Sequence, residues 1–337
     1  MLTLFGDPAI WLPLAFAGLM GLSILIYVVL DGFDLGIGML FALGNEAEQD
    51  RMMASIGPFW DANETWLVLA VGLLLVAFPV AHGIILTALY LPVVLMLIGL
   101  ILRGVAFEFR AKADGVAKRR WSQVFIGGSL LTALTQGYML GVYVMGLRQD
   151  VLAVSFGLLT AICLVAGYML VGAAWLIIKT DGPLQRRAIV WARRCLIFAG
   201  IGMAAISIAS PLVSPRIFEK WFGGPAILLL APLPVGSAVI FLGLAVLLRN
   251  LPDAADRWCR LPYIAVTGLF ALAFAGLAYS FYPYVVPDRL TLFEAASAPE
   301  SLLVILFGAI IVLPAIIAYS ALSYRVFRGK ATPLGYD

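Results

Sequence analysis

Residues 9–40, AIWLPLAFAGLMGLSILIYVVLDGFDLGIGML, combine an uncharged run long enough to cross a membrane with two carboxylic acids. The 22 residues from 9 to 30 carry no charge, and a membrane-spanning helix needs about 20 predominantly apolar residues. Asp31 and Asp34 follow, and the next ten residues, Leu35–Gly44, are again uncharged. The stretch therefore predicts a spanning helix in which two acids are embedded rather than placed at its end.

The composition extends this interpretation to the whole chain. Hydrophobic residues make up 63% of the 337 residues and charged residues 12%, with a mean hydropathy of +1.03. Water-soluble domains carry about a quarter charged residues, so a soluble globule is excluded. Further uncharged runs of spanning length are 83–102, 121–147, 151–178, 195–215, 221–248, 261–287 and 301–324. The run 65–81 spans only if its helix begins near Pro58, which brings the total to nine helices.

The distribution of Lys and Arg between alternate loops predicts the orientation, because cytoplasmic loops carry an excess of these residues. With the N-terminus outside, the cytoplasmic loops and the tail carry Arg51, Arg110, Lys112, Lys118, Arg119, Arg120, Lys179, Arg186, Arg187, Arg249, Arg257, Arg260, Arg325, Arg328 and Lys330. The opposite loops carry Arg148, Arg216, Lys220 and Arg289. We therefore expect a multi-pass protein of the bacterial inner membrane, with a periplasmic N-terminus and a cytoplasmic C-terminus. The outer segments 213–224 and 285–300 are each long enough to hold a short amphipathic segment.

The predicted fold class is an all-α integral membrane protein whose nine transmembrane helices form two four-helix bundles plus one peripheral helix. We expect a single transmembrane domain. Residues 1–150 would form the first bundle and carry the polar residues, and residues 151–337 would form the second bundle and the last helix. Gly32 and Gly36 form a small-xxx-small pair, which predicts that another helix approaches closely at this point.

Ionisable side chains within the spans are concentrated in the first three helices. They are Asp31, Asp34, Asp61, Glu64, Arg103 and Glu108. The predicted topology brings all of them near the cytoplasmic boundary, because the first and third helices run inward and the second begins there. Consecutive helices usually pack as neighbours, so a shared polar cluster with a functional role is expected. Glu108 and Arg110 are expected to be the solvated end of the third helix.

These residues also fit structural roles, and the sequence leaves both interpretations open. Asp31 fits an interfacial position on a tilted helix. Asp34 fits a structural ion pair with Arg103, because buried charges are normally paired. Asp61 fits the N-terminus of the second helix, where the helix macrodipole favours an acid.

The chain offers few ligands for a metal or a haem. His82 is its only histidine and is expected in the outer loop between the second and third helices. The three cysteines, Cys163, Cys195 and Cys259, are far apart. Haem and metal sites need convergent sets of His, Cys, Met or carboxylate ligands, and no dinucleotide or phosphate-binding motif is present. Any redox centres that work with this chain are therefore expected on another chain.

Three segments carry a resemblance to a known family. DGFDLGIGML at 31–40, GPFWDANETWLVL at 57–69 and LRGVAFEFR at 102–110 resemble the signature stretches of subunit II of cytochrome bd-type quinol oxidases. Phe59 stands where many members have histidine, and Glu64 where others often have an amide or histidine. These variants look like the cyanide-insensitive branch of the family, a branch defined mainly by subunit I.

The resemblance implies a heterodimeric enzyme that oxidises quinol and reduces oxygen to water. In that family subunit I holds haem b and haem d, and subunit II binds no haem through its own ligands and packs against subunit I. Both subunits have two four-helix bundles plus a peripheral helix. The sequence leaves open whether a structural quinone or a membrane lipid binds this chain and whether a small accessory subunit attaches. No feature points to nucleic acid.

The resemblance also implies roles for individual residues. Asp61 matches an acid on a proton route to the oxygen-reducing haem. Glu64 is not carried over from the family; the leading hypothesis below makes it a nearby relay for Asp61. Trp66 matches a tryptophan beside a proposed oxygen passage. Asp34 and Arg103 match a polar pair with a structural or proton-conducting role, and Asp31 completes the expected polar cluster.

Two functional hypotheses follow. The leading one is the non-haem subunit of a quinol:oxygen oxidoreductase, which supports subunit I and provides access for protons and oxygen. The alternative is a proton-coupled secondary transporter or channel that uses the acids as its ion site. Transporters usually have such sites near the bilayer midplane, whereas these acids are predicted near one edge.

Overall fold

A computed structural model of the chain describes residues 7–224, 226–253 and 256–332. Within these residues, nine helices are long and apolar enough to cross a membrane. They are Pro8–Leu43, Trp60–Ala77, Tyr90–Ala111, Gly115–Val144, Val151–Lys179, Gly182–Val213, Ile227–Asn250, Leu261–Phe281 and Pro299–Val326. The predicted number of spans is confirmed. The ends of the two predicted bundle ranges, residues 1–6 and 333–337, lie outside the described residues.

The spanning helices alternate with short elements. In chain order the elements are α1 (Pro8–Leu40), a 3-10 turn (Phe41–Leu43), α2 (Glu46–Ile56), α3 (Trp60–Ala77), α4 (Pro79–Ala88), α5 (Tyr90–Ala111), α6 (Gly115–Val144), α7 (Val151–Lys179), α8 (Gly182–Val213), α9 (Pro215–Phe222), α10 (Ala226–Leu230), α11 (Pro232–Asn250), α12 (Leu261–Phe281), β1 (Tyr284–Val286), β2 (Leu290–Thr291), α13 (Leu292–Ala295) and α14 (Pro299–Val326). Strands β1 and β2 form a small antiparallel hairpin, the one departure from an all-helical fold among the described residues.

Local sequence signals set the start of α2 and the end of α3. Helix α2 begins with a reciprocal capping box, in which the Asn45 side chain accepts from the backbone N–H of Glu48 and the Glu48 carboxylate accepts from that of Asn45. Helix α3 ends before Pro79, which has no N–H to donate and disfavours helical backbone at Phe78. The predicted run 65–81 is therefore divided between α3 and α4.

The spans are described here in the two predicted groups of four, called the first and second bundle; the division itself stays a prediction. Helices α1, α3, α5 and α6 form the first group, and α7, α8, α11 and α12 form the second. The groups meet where α1 and α6 pack against α7. Helix α14 packs against α1 and α3 as the ninth, peripheral helix.

Small residues bring α1 and α7 into backbone contact. A side-chain carbon at Gly36 would lie 1.8 Å from the carbonyl oxygen of Tyr168, and one at Gly172 would lie 2.7 Å from the backbone nitrogen of Ile37. Gly32 faces the Tyr168 ring. The close approach expected from Gly32 and Gly36 is confirmed, and it presses the acid-bearing part of α1 against the second bundle.

The two outer segments differ from each other. The first contains α9, whose Ile217 is buried while Phe218 and Phe222 are exposed. The second contains the β1–β2 hairpin and the single turn α13. Only the first therefore holds an amphipathic helix of the expected kind.

Candidate functional site

The polar residues of the first three spans meet at one end of the first bundle, the end predicted to be cytoplasmic. Asp31 and Asp34 lie on α1, Glu64 on α3 and Arg103 on α5; these four residues are called the polar cluster below. Both aspartates are buried, and α1 continues beyond them to Leu40. Asp31 is therefore not the solvated interfacial residue of a tilted helix.

Arg103 is the cation of the polar cluster and is itself buried. Its Nη1 donates to Asp31 Oδ1 at 2.6 Å, and its Nη2 donates to Glu64. The prediction of an ion pair between Arg103 and Asp34 is wrong, because Arg103 pairs with Asp31, one turn earlier on α1. The two aspartates share one face of the helix, so their spacing does not decide which of them reaches α5.

Asp34 is held by neutral groups. Asn63 Nδ2 on α3 donates to Asp34 Oδ2 at 2.8 Å, and the Tyr324 hydroxyl on α14 donates to Asn63 Oδ1 at 3.0 Å. The Tyr324 ring stacks on Phe59 with 4.5 Å between centroids. Asn63 was visible in the sequence as an amide between two acids. Tyr324 carried no comparable signal, because it ends a long uncharged run far along the chain.

The polar cluster has more acid than base. Three carboxyl groups surround one guanidinium group, and a buried carboxylate without a counter-charge is costly. Among the described residues, Asp31 Oδ2, Asp34 Oδ1 and Arg103 Nε have no hydrogen-bond partner. The cluster therefore has more carboxyl groups than its one cation can pair, and both aspartates keep a free acceptor oxygen.

A short chain of hydrogen bonds lies one helical turn from the polar cluster, toward the membrane interior. Gln136 Nε2 on α6 donates to the Tyr27 hydroxyl on α1 at 2.6 Å, and the Tyr168 hydroxyl on α7 donates to Gln136 Oε1 at 2.7 Å. Three helices from both bundles are joined through these groups. Sequence reasoning missed all three residues, because single Tyr and Gln residues in apolar runs give no indication of mutual contact.

Asp61 lies beside the polar cluster but on the outer surface of the chain. It occupies the first turn of α3, as the macrodipole argument expects, and its side chain is exposed. Glu64 is one turn further along the same helix. Asp61 forms no ion pair or hydrogen bond with any described residue, so its carboxylate is open to water or to a partner chain.

Trp66 is buried on another side of α3. Its neighbours along that side of the helix are Ala70, Leu73 and Ala77, which are buried as well. The indole N–H has no hydrogen-bond partner among the described residues. Apart from Asn63 one turn earlier, the buried residues on this side of α3 are therefore apolar.

Arg110 is not solvated as expected. It is buried, and its guanidinium group donates to Ser122 at 2.7 Å and to Asp50 at 2.8 Å while it lies over the Phe41 ring. The reason is α2, which folds under the bundle and brings Asp50 to the end of α5. Glu108 is exposed as expected.

No group of three or more His, Cys, Asp or Glu side chains among the described residues could hold a metal ion. His82 lies in α4 rather than in a loop, beyond the end of α3 opposite to the polar cluster. The polar side chains that the site offers are therefore carboxyl groups, one amide and one guanidinium group.

Comparison with known proteins gives this site its context. A family model for cytochrome bd terminal oxidase subunit II matches residues 12–327. The chain belongs to this family. The resemblance of the three sequence motifs is thereby confirmed. Membership of this family favours the oxidase-subunit hypothesis over the transporter or channel alternative.

Individual relatives agree with the family across most of their length. The cytochrome bd ubiquinol oxidase subunit 2 of Bacillus subtilis is 30% identical over 331 residues, which cover 91% of this chain and 93% of that one. The cytochrome bd-I ubiquinol oxidase subunit 2 of Escherichia coli K12 is 27% identical over 362 residues, with 93% of each chain covered. Subunit II of this family is one part of an oxidase complex, so a second, partner subunit is implied.

A solved structure supports the fold. The bd oxidase from Geobacillus thermodenitrificans matches with a TM-score of 0.75 at 18% identity, covering 94% of this chain and 99% of that one. The nine spans are therefore arranged as in a chain of a bd oxidase. The subunit II chain described here is a multi-pass membrane protein.

Proposed function

We propose that this subunit II works in a ubiquinol:oxygen oxidoreductase, where it supports a haem-bearing subunit I and conducts cytoplasmic protons and oxygen toward it. The names of the Bacillus subtilis and Escherichia coli relatives support ubiquinol as the electron donor. Haem b and haem d on subunit I would supply electron transfer and the reduction of oxygen to water. The residues of this chain bind, hold and pass protons.

An exposed carboxylate on a spanning helix carries the proposal. Asp61 is exposed in the first turn of α3, and Thr65 and Val68 are exposed along the same side of the helix. A carboxylate that faces lipid is costly, so acids in spanning helices face protein or water. We infer that this side of α3 packs against subunit I, with Asp61 where cytoplasmic water meets the two subunits.

Glu64 links Asp61 to the buried acids. It lies one turn along α3 from Asp61, and its carboxylate accepts a hydrogen bond from Nη2 of Arg103. A proton taken up by Asp61 can pass to Glu64, directly or through water. When Glu64 is protonated, Asp31 still neutralises Arg103, so the guanidinium group is never left as a lone buried charge. This shared cation lets Glu64 change its protonation state at low cost.

The direction of uptake rests on the predicted orientation. Most Lys and Arg side chains lie at the same end of the helices as the polar cluster, which supports a cytoplasmic position for that end. Protons consumed in water formation would then come from the cytoplasm. Quinol oxidation on subunit I would release protons on the periplasmic side, so turnover would separate charge across the membrane.

Trp66 is proposed to border the route of oxygen to subunit I. Oxygen is apolar, and the buried side of α3 that carries Trp66, Ala70 and Leu73 is apolar too. We expect Trp66→Phe to leave the KM for oxygen nearly unchanged. Trp66→Glu, which introduces a charge on this side, should raise it. Oxygen-electrode measurements at limiting oxygen test this, and equal KM values for the two variants would contradict the proposal.

Asp61→Asn tests the proton route. The substitution keeps the size of the side chain and removes its proton-binding carboxylate, so quinol-driven oxygen consumption should fall on the order of a hundredfold, the lower range for loss of a positioned proton-transfer group. The reduced-minus-oxidised haem spectrum should be unchanged. Glu108→Gln is the matched control, because Glu108 is an exposed acid at the same end of the neighbouring helix α5. Normal turnover in Asp61→Asn, or equal losses in both variants, would remove Asp61 from the route.

A further inference from the structure

Two exposed arginines lie at the cytoplasmic edge of the second bundle without any carboxylate partner. Arg194 on α8 directly precedes the uncharged run 195–215, and Arg249 on α11 directly follows the uncharged run 221–248. Both side chains are exposed, and neither forms an ion pair or a hydrogen bond with any described residue. Their positions next to the uncharged runs put them at the level where lipid headgroups begin.

A contact between the two helices brings these arginines to one depth. Arg193 reaches from α8 to α11 and donates to the carbonyl oxygen of Leu248 through Nε at 2.8 Å and through Nη2 at 2.5 Å. Arg194 and Arg249 are the next residues on each side of this contact. The Arg193 guanidinium group is thus used for holding the helices together, whereas the other two remain free.

An exposed apolar stripe leads from each arginine toward the membrane interior. On α8, Ile197 and Ile201 follow Arg194 at helical spacing and are exposed. On α11, Val246 and Leu242 precede Arg249 at the same spacing and are exposed as well. Side chains three and four apart share a helix face, so each arginine is the polar end of a continuous apolar strip.

We propose that the surface between α8 and α11 binds an anionic phospholipid, with its phosphate held by Arg194 and Arg249 and its acyl chains along the two apolar stripes. The charge of the headgroup complements two unpaired guanidinium groups, and guanidinium groups bind phosphate oxygens in a bidentate manner. The chains would cover apolar side chains that no other described part of the protein covers. Basic sites between spanning helices on the cytoplasmic side are a recognised way of binding anionic lipids.

Free phosphate and a zwitterionic lipid match only part of this surface. Inorganic phosphate has no chains to occupy the stripes on α8 and α11. Phosphatidylethanolamine adds an ammonium group, which two arginines repel. The surface therefore selects for a lipid with net negative charge.

Native mass spectrometry of the purified complex tests the proposal. Complexes in mild detergent are titrated with phosphatidylglycerol or phosphatidylethanolamine, and the retained lipids are counted. The doubly substituted Arg194→Gln/Arg249→Gln should bind phosphatidylglycerol roughly thirty-fold more weakly than the natural sequence, from the usual contribution of a basic side chain near anionic lipid. Arg120→Gln is the matched control, because Arg120 is an exposed arginine without a partner at the same end of the first bundle.

The outcomes separate cleanly. Loss of retained phosphatidylglycerol in the double variant alone supports the site, provided that the subunits still copurify with their haems. Equal retention in all three proteins overturns it, as does equal binding of the two lipids. Displacement of phosphatidylglycerol by millimolar inorganic phosphate also overturns it, because the apolar stripes would then contribute nothing. Oxidase activity is not the readout, so failure here leaves the proton route through Asp61 untouched.

Discussion

Replacing Arg103 by Met tests whether one cation holds the polar cluster together. Methionine fills much of the volume of the arginine stem but can neither donate to a carboxylate nor neutralise it. The side chains of Arg103 and Asp31 are 2% and 0% exposed, whereas that of Glu64 is 27% exposed. Arg103→Met therefore leaves Asp31 without a counter-charge in a buried position, while Glu64 retains access to solvent.

The magnitude follows from this difference in burial. Removing one partner of a buried ion pair costs about 3–5 kcal/mol, because the other charge is left uncompensated. Exposed ion pairs contribute about 0–1 kcal/mol. We expect Arg103→Met to lie in the first range and Glu64→Gln close to the second, since Arg103 keeps Asp31 when Glu64 loses its charge. The double variant Arg103→Met/Asp31→Leu, which replaces the pair by apolar groups, should cost about 2–3 kcal/mol less than the sum of its single variants.

The measurement is the free energy of unfolding of the purified complex in a denaturant titration followed by tryptophan fluorescence. The haem spectrum of each variant, taken before denaturation, verifies assembly. Arg120→Met serves as the control, because Arg120 is exposed and forms no ion pair with a described residue. If the effects of Arg103→Met and Asp31→Leu add within about 0.5 kcal/mol, the two side chains are not energetically coupled and the cluster is not built on this pair.

Three further predictions concern the scaffold. Gly36→Ala should destabilise the complex by about 1–3 kcal/mol, because the new carbon meets a backbone carbonyl of α7 at 1.8 Å, whereas Gly18→Ala on the same helix meets nothing within 4 Å and should be neutral. Arg110→Met should lower the unfolding free energy more than Arg51→Met, since their side chains are 2% and 43% exposed; equal losses would contradict this ranking. Burial raises the pKa of Asp256, but hydrogen bonds from Lys330 and Gln185 to its carboxylate lower the pKa by more. The pKa of Asp256 therefore lies below its usual value. The ion pair by which Lys330 of the tail, residues 327–332, binds Asp256 should therefore persist above the usual aspartate range of about pH 4 and weaken as pH falls through the lowered pKa. Peptic cleavage of this tail that is independent of pH would refute the assignment.

The spans could be predicted because the signal for each lies within its own residues. Length and lack of charge identify a membrane helix without any knowledge of its neighbours. The same is true of Gly32 and Gly36. Their spacing predicts a close helix contact, but it does not predict that the contacting helix is α7. Pro79 also indicates a helix break at Phe78. The hydropathy of the run 65–81 stays high across this break, however, and hydropathy alone therefore does not predict that the run is divided between α3 and α4.

The pairing within the site could not be predicted, because it depends on how helices are rotated against one another. Asp31 and Asp34 are equivalent by spacing. Only the packing of α3 and α5 against α1 decides that Asn63 donates to Asp34 and Arg103 donates to Asp31. Arg110 was misjudged for a related reason. A short helix between spans, α2, covers it and supplies Asp50, and hydropathy does not detect such a helix.

This packing makes the two sides of the polar cluster unequal. On the Asp34 side, Asn63 donates to the carboxylate and Tyr324 donates to Asn63. Phe59 stacks on Tyr324, and the Lys179 ammonium group lies 5.1 Å from the Phe59 ring centroid. A proton that came from this side would have to pass a cation and two aromatic rings. On the other side, Glu64 is partly exposed and Asp61 is open. The one open approach to the cluster among the described residues is therefore along α3, past Asp61 and Glu64, and this is the side on which the proposed proton route lies.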